Sequence, residues 1–155
     1  LRQYLSVENV LWLSSGIAGD DTDGHIDDFA RFVSRSTVLC AQAEKGEDAP
    51  VLARNWELLA RYKDRFGLEV QGLPMPRPLF LEEEERNLPA SYANFYIGNR
   101  VVLAPVFGDP ADRAALETLS SHFPGREVVP IPARELVYGY GGVHCVTQQE
   151  PAEPD

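Results

Sequence analysis

Apolar residues recur along this chain with two different periods, and the alternation between them marks two copies of one plan. Leu52, Trp56, Leu59, Tyr62 and Phe66 return at helical spacing and predict an amphipathic helix over about 51–66. Asp48 and Pro50 stand where a helix start belongs, and Gly67 supplies the stop. A second helix is predicted from Asp109-Pro110, a cap followed by a proline in the first turn. Leu116, Leu119 and Phe123 share one of its faces, and Pro124-Gly125 closes it. Each helix is flanked by short apolar runs that read as strands: Val38-Leu39-Cys40-Ala41 and the run ending at Pro74, then Val101-Val102-Leu103-Ala104 and the run ending at Pro132. The repeated strand–helix–strand unit predicts an α/β fold built on internal symmetry. Leu5 to Leu13 reads as the tail of an earlier copy. Leu1-Arg2-Gln3-Tyr4-Leu5 reads as the last turns of a helix, so a longer parent protein is expected.

The segments between these units carry the candidate chemistry. One loop holds Asp20-Asp21-Thr22-Asp23-Gly24-His25-Ile26-Asp27-Asp28, a second leads through Ser91-Tyr92-Ala93-Asn94, and a third delivers Gly141-Gly142-Val143-His144-Cys145-Val146. If the repeats surround a symmetry axis, equivalent loops converge, and His25, Asn94 and Cys145 can meet despite their separation in sequence. A thiol on a glycine-flexed turn and an imidazole near a carboxylate are parts for nucleophilic attack on a carbon centre. His25 and Asp27, two apart, would share one face if the segment were a strand. By the same rule His144 would point away from the Cys145 face and is read as structural. Asp21 and Asp23 read first as loop-shaping residues, with Asp21 carried as a further substrate-binding candidate.

Composition narrows the function classes. The 155 residues carry a formal net charge of −10, which argues against nucleic acid as a partner; a solvated acidic surface is the first reading of it, and a cationic substrate is compatible with it. No apolar run approaches the roughly 20 residues of a membrane helix. A secretory signal is not expected either, since a basic start leading into an apolar stretch is missing. Two cysteines are too few for a disulfide framework and suit a reducing cytoplasm; Cys40, inside an apolar run, reads as core. The segment from Pro74 through Pro76, Pro78 and Glu82-Glu83-Glu84-Glu85 is expected to be an extended, solvated loop, and residues 150–155 a disordered tail. A calcium loop starting at Asp21 is excluded, because its twelfth position is Phe32 rather than glutamate, and no spacing suits zinc.

At these residues the chain resembles the agmatine deiminases and the bacterial, Porphyromonas-type peptidyl-arginine deiminases of the guanidino-modifying (pentein) superfamily. The resemblance is carried by Gly19 to Asp27, by Leu88-Pro89-Ala90-Ser91-Tyr92-Ala93-Asn94-Phe95-Tyr96-Ile97, by Phe107-Gly108-Asp109-Pro110 and by Gly142-Val143-His144-Cys145-Val146-Thr147-Gln148-Gln149. It implies a five-fold pseudosymmetric α/β propeller, of which residues 1–149 would form about half. It further implies hydrolysis of a guanidino C–N bond, agmatine to N-carbamoylputrescine and ammonia in putrescine biosynthesis, without metal or organic cofactor. In that scheme Cys145 is the nucleophile and passes through an amidino-cysteine intermediate, and His25 moves the protons. Asp27 binds the guanidinium, with Asn94 beside it orienting substrate or thiol. The alternatives are deimination of peptidyl arginine and a non-catalytic half-propeller that binds a partner. A homo-oligomer is carried as a partner expectation. The family pattern also includes an N-terminal half with a second guanidinium-binding aspartate, and no equivalent occurs in these residues.

Overall fold

Two three-stranded sheets of the same order carry the fold, and each is wrapped by one helix. The computed structural model describes residues 2–22 and 24–150. Expectations about Asp23, and about the tail beyond residue 150, lie outside the described residues. The described residues begin with one helical turn, α1 (Arg2–Leu5), followed by irregular backbone over residues 6–22. Residues 6–13, read as the tail of an earlier copy, form no strand or helix here. A 3-10 turn at Ile26–Asp28 leads into β1 (Ala30–Phe32).

The first sheet places β1 antiparallel to β2 (Thr37–Gln42), and β2 parallel to β3 (Glu69–Pro74), with α2 (Ala49–Phe66) as the crossover. Val38, Leu39, Cys40 and Ala41 are all buried, as a strand covered on both faces requires. The helix buries Leu52, Asn55 and Leu59, and each fully buried leucine contributes about 1.5–3 kcal/mol. Gly67 ends it in the left-handed region (φ 64°), its N–H bonded to the Lys63 carbonyl at 2.8 Å.

Between the units the structure corrects the expected loop. The acidic segment closes a hairpin of β4 (Leu79–Leu81) and β5 (Arg86–Leu88), with Glu82–Glu84 in a 3-10 turn. Leu79, Leu81 and Leu88 alternate onto the core, which anchors strands too short to be visible in a run broken by prolines. The second sheet then repeats the first: β6 (Tyr96–Ile97) antiparallel to β7 (Val101–Val106), and β7 parallel to β8 (Glu127–Pro132) across α3 (Asp112–His122). Helix α3 starts later than Asp109-Pro110 suggested. The Asp112 carboxylate takes the backbone N–H groups of Phe107, Gly108 and Asp109, so residues 107–111 form a turn in front of the helix.

Two apolar clusters result. One joins β1, β2 and α2 through Phe29, Val38, Cys40, Leu52 and Leu59, which confirms Cys40 as core. The other gathers Leu39 and Leu73 with Tyr92, Phe95, Val102, Leu119 and Phe123, so the first sheet lends side chains to the second unit's core. No helix among the described residues is long and apolar enough to cross a membrane.

Candidate active site

The three loops do converge. Asn94, fully buried in the turn before β6, is their meeting point. Its Nδ2 donates to Asp27 Oδ2 at 3.0 Å, to Asp28 Oδ1 at 2.8 Å and to Cys145 Sγ at 3.2 Å. Its Oδ1 and its backbone carbonyl both accept the His144 N–H, at 2.8 and 3.1 Å. Cys145 Sγ lies 3.6 Å from Asp27 Oδ2. Residues separated by more than a hundred positions thus meet in one hydrogen-bonded cluster.

Each loop is held from behind by a different element. Buried Asn55 of α2 accepts the Ser14 N–H at 2.8 Å and donates to the Ser15 carbonyl at 2.9 Å. Asp48 accepts the Ala18 N–H at 2.6 Å, so this helix-start carboxylate fixes the approach to the acidic loop instead of capping its helix. Arg86 of β5 donates to the Gly19 carbonyl at 2.7 Å. Inside the loop Asp20, not Asp21, shapes the turn, accepting from Thr22 N, Thr22 Oγ1 and His25 N. The loop that carries the thiol needs glycine at residue 142, because a Cβ there would stand 2.5 Å from Asn94 Oδ1.

Three expectations change. Residues 26–28 form a 3-10 turn rather than a strand, so the two-residue alternation of a strand does not relate His25 to Asp27. Asp27 turns towards the thiol, while His25 is exposed and stands on the Asp28 side: polar atoms of Asp20, His25 and Asp28 lie within 4.8 Å of one another. Those three are the one grouping among the described residues close enough to surround an ion, yet Asp20 and Asp28 already serve the loop and Asn94. His144 is the larger correction. It lies in a turn, not a strand, and its Nδ1 donates to Asp27 Oδ2 at 2.6 Å. Asp21 is exposed and makes no contact with this cluster; its charge acts on the Tyr140 phenol instead.

Electrostatics separate the two neighbouring carboxylates. Burial pushes the Asp27 carboxyl up, but the hydrogen bond and charge of His144 outweigh it and hold the group below its usual range. Asp28 goes the other way. Burial, and then the charge of Asp27, raise it to about 7 against the opposing Asn94 hydrogen bond. Burial also raises the Cys145 thiol; backbone Gly142 and Asn94 pull it back, and Asp27 and Asp28 push it further up. The two carboxylates accordingly favour an added cation, whose charge would favour the thiolate. Sequence reasoning missed Asp28 and His144. The only signal for Asp28 was a second acidic residue directly before the apolar Phe29-Ala30.

Comparison with known proteins decides the family. A profile of the Porphyromonas-type peptidyl-arginine deiminases matches residues 1–151. The chain belongs to this family. Among its relatives, the agmatine deiminase of Pseudomonas putida is 40% identical over 173 residues, covering 98% of this chain and 47% of the relative. The agmatine deiminase of Pseudomonas fluorescens is 39% identical over 172 residues, with the same coverage. The solved agmatine deiminase of Enterococcus faecalis superposes with a TM-score of 0.87 at 33% identity, over 97% of this chain and 46% of that one. A substrate-bound, cysteine-to-serine form of the C. jejuni agmatine deiminase gives 0.82 at 31% identity, over 92% and 42%. This member of the deiminase family spans about half the length of the relatives it matches.

Proposed function

We propose that the chain is the thiol-bearing part of a hydrolase that deiminates a small guanidino compound, agmatine being the substrate that the relatives' names suggest. The observation that carries the reading is the contact of Cys145 Sγ with both the Asp27 carboxylate and the Asn94 amide. A carboxylate beside a thiol is a poor arrangement for ionising the thiol alone, since its charge opposes a second one. It suits a site where a flat cation docks across the two groups, paired with the carboxylate and presenting its central carbon to sulfur.

The chemistry then runs in two halves. The Cys145 thiolate adds to the guanidinium carbon, and the C–N bond breaks as a proton reaches the departing nitrogen, which leaves as ammonia. Water next adds to the amidino-cysteine carbon, and the C–S bond breaks to release the ureido product and the thiol. His25 keeps the proton-carrying role, because it stands beside Asp28, a group raised to about 7 and therefore able to exchange protons near neutrality. His144, bonded to Asp27, holds the binding carboxylate in place. No metal or organic cofactor enters the scheme. The matching β1–β3 and β6–β8 units support a further reading, two blades of a five-fold propeller whose remaining blades are supplied elsewhere. A place in putrescine formation goes with the same substrate assignment, and the chain's two cysteines suit a cytoplasmic setting.

The test uses the protein expressed from its complete reading frame. Ammonia release should be faster with agmatine than with a blocked arginyl peptide. Cys145→Ser should lower turnover at least about a thousandfold while leaving the circular dichroism spectrum unchanged. A serine variant that retains most activity would remove Cys145 as the nucleophile. Faster release from the peptide would transfer the reading to peptidyl-arginine deimination.

A further inference from the structure

Arg31 on β1 is a charged, half-buried residue at this site that the chemistry above leaves without a task. Its Nη1 donates to the Ala93 carbonyl at 3.2 Å and to the Phe95 carbonyl at 2.8 Å, the two carbonyls that flank Asn94. The guanidinium carbon also lies 4.7 Å from the centre of the Phe95 ring, so the group is both stacked and anchored. Local bonds hold the Asn94 turn only lightly: Asn94 N reaches the Ser91 carbonyl at 3.4 Å, and Ala93 N reaches Ser91 Oγ at 3.1 Å. Yet this turn must present one amide in one orientation. Rotating it would turn Oδ1 towards Asp27 and Asp28 and withdraw the donor from Cys145. An arginine is permanently charged, and here its charge acts on Asp27, Cys145 and Asp28 together.

We propose that Arg31 is a positioning residue of the Cys145 site, a fixed cation whose grip on the Ala93 and Phe95 carbonyls sets the Asn94 amide against the thiol. The proposal rests on the deiminase reading only in taking Cys145 as the attacking group. It ties the first sheet to the second unit's loop, so that the thiol, the binding carboxylate and the orienting amide depend on one side chain.

Two variants of the full-length protein separate grip from charge. Arg31→Lys keeps the charge but replaces a planar fork with a point donor, and Arg31→Gln keeps a neutral N–H donor and removes the charge. Alkylation by iodoacetamide, followed by mass on the peptide containing Cys145 between about pH 6 and 10, reports thiol ionisation without any substrate. Turnover of agmatine gives kcat and KM. For Arg31→Gln the alkylation midpoint should rise by about one pH unit, which slows alkylation at neutral pH about tenfold. For Arg31→Lys the midpoint should hold, while kcat falls about tenfold and KM changes less than about threefold. Folded variants that stay within about twofold of the parent in both midpoint and kcat would overturn the proposal. Should Arg31→Gln fail to fold, an unchanged kcat for Arg31→Lys would overturn it. Should the parent not turn over agmatine at all, the Arg31→Gln alkylation shift still decides the role of Arg31, and only the substrate assignment falls.

Discussion

Gly142 and Asn94 fit closely in the site, and they show how one residue's absent side chain sets another's orientation. A methyl group at residue 142 would stand 2.5 Å from Asn94 Oδ1 and 2.8 Å from its Cγ, far inside van der Waals contact. Gly142→Ala must therefore push the amide or the thiol loop aside. The expected result is a loss of kcat of at least about tenfold, with a destabilisation of about 1–3 kcal/mol typical of overpacking. Steady-state turnover and a denaturant midpoint check it; a variant with parental kcat would show that the loop moves without cost. His144 makes a related point. Its neighbour Cys145 was legible as a candidate site residue, whereas the place of His144 depended on whether the backbone there is a strand or a turn. The turn, closed by the bond of Thr147 N to the His144 carbonyl at 3.0 Å, brings both side chains to Asp27.

At the level of elements, α2 has a second task besides covering its sheet. Through Asn55 and Asp48 it grips residues 14–18 and so fixes where the acidic loop begins. An asparagine in a helix face otherwise made of Leu52 and Leu59 looks like an interruption of the apolar stripe. It makes sense only once the irregular segment is seen lying against it. Asn55→Ala removes both bonds from a buried setting and leaves the Ser14 N–H and the Ser15 carbonyl without that partner, at a cost of about 1–3 kcal/mol. Urea unfolding should show the loss. Asn55→Asp should be no milder, because it replaces the Nδ2 donor with a charge facing a carbonyl. Equal stability of the alanine variant and the parent would mean that water takes over both bonds. The β4–β5 hairpin, in contrast, was hidden by its own composition: prolines and four glutamates outweigh three leucines in any local reading, and only packing against the distant core makes strands of them.

For the molecule as a whole, the acidic pair couples the site to stability. Asp28 is raised from 3.8 to about 7, so the folded state accommodates it best when protonated. Its favourable contribution is complete below the unfolded value and is lost as pH climbs through about 7. Asp27, held below its usual range, acts in the opposite sense and only at more acid pH. Asp28→Asn keeps a neutral group of the same shape at every pH. Its stability relative to the parent should therefore rise between about pH 4 and 7 and then level off, by about 4 kcal/mol at most. Denaturant midpoints across that range test it, and a constant offset between the two proteins would remove Asp28 as the titrating group.

Both strand–helix–strand units, the burial of Cys40, the family, and Asp27, Asn94 and Cys145 as partners were all legible in the chain. Periodicity and short motifs are local properties, and repetition amplifies them. The tertiary structure decided what depends on which surfaces meet. His144 joins the site while Asp21 stays out of it, Asp28 lies buried beside an ionised neighbour, and Arg31 reaches across to the loop of the other unit. Burial and charge proximity arise only when distant segments close on one another, and no window along the sequence contains both sides of those contacts.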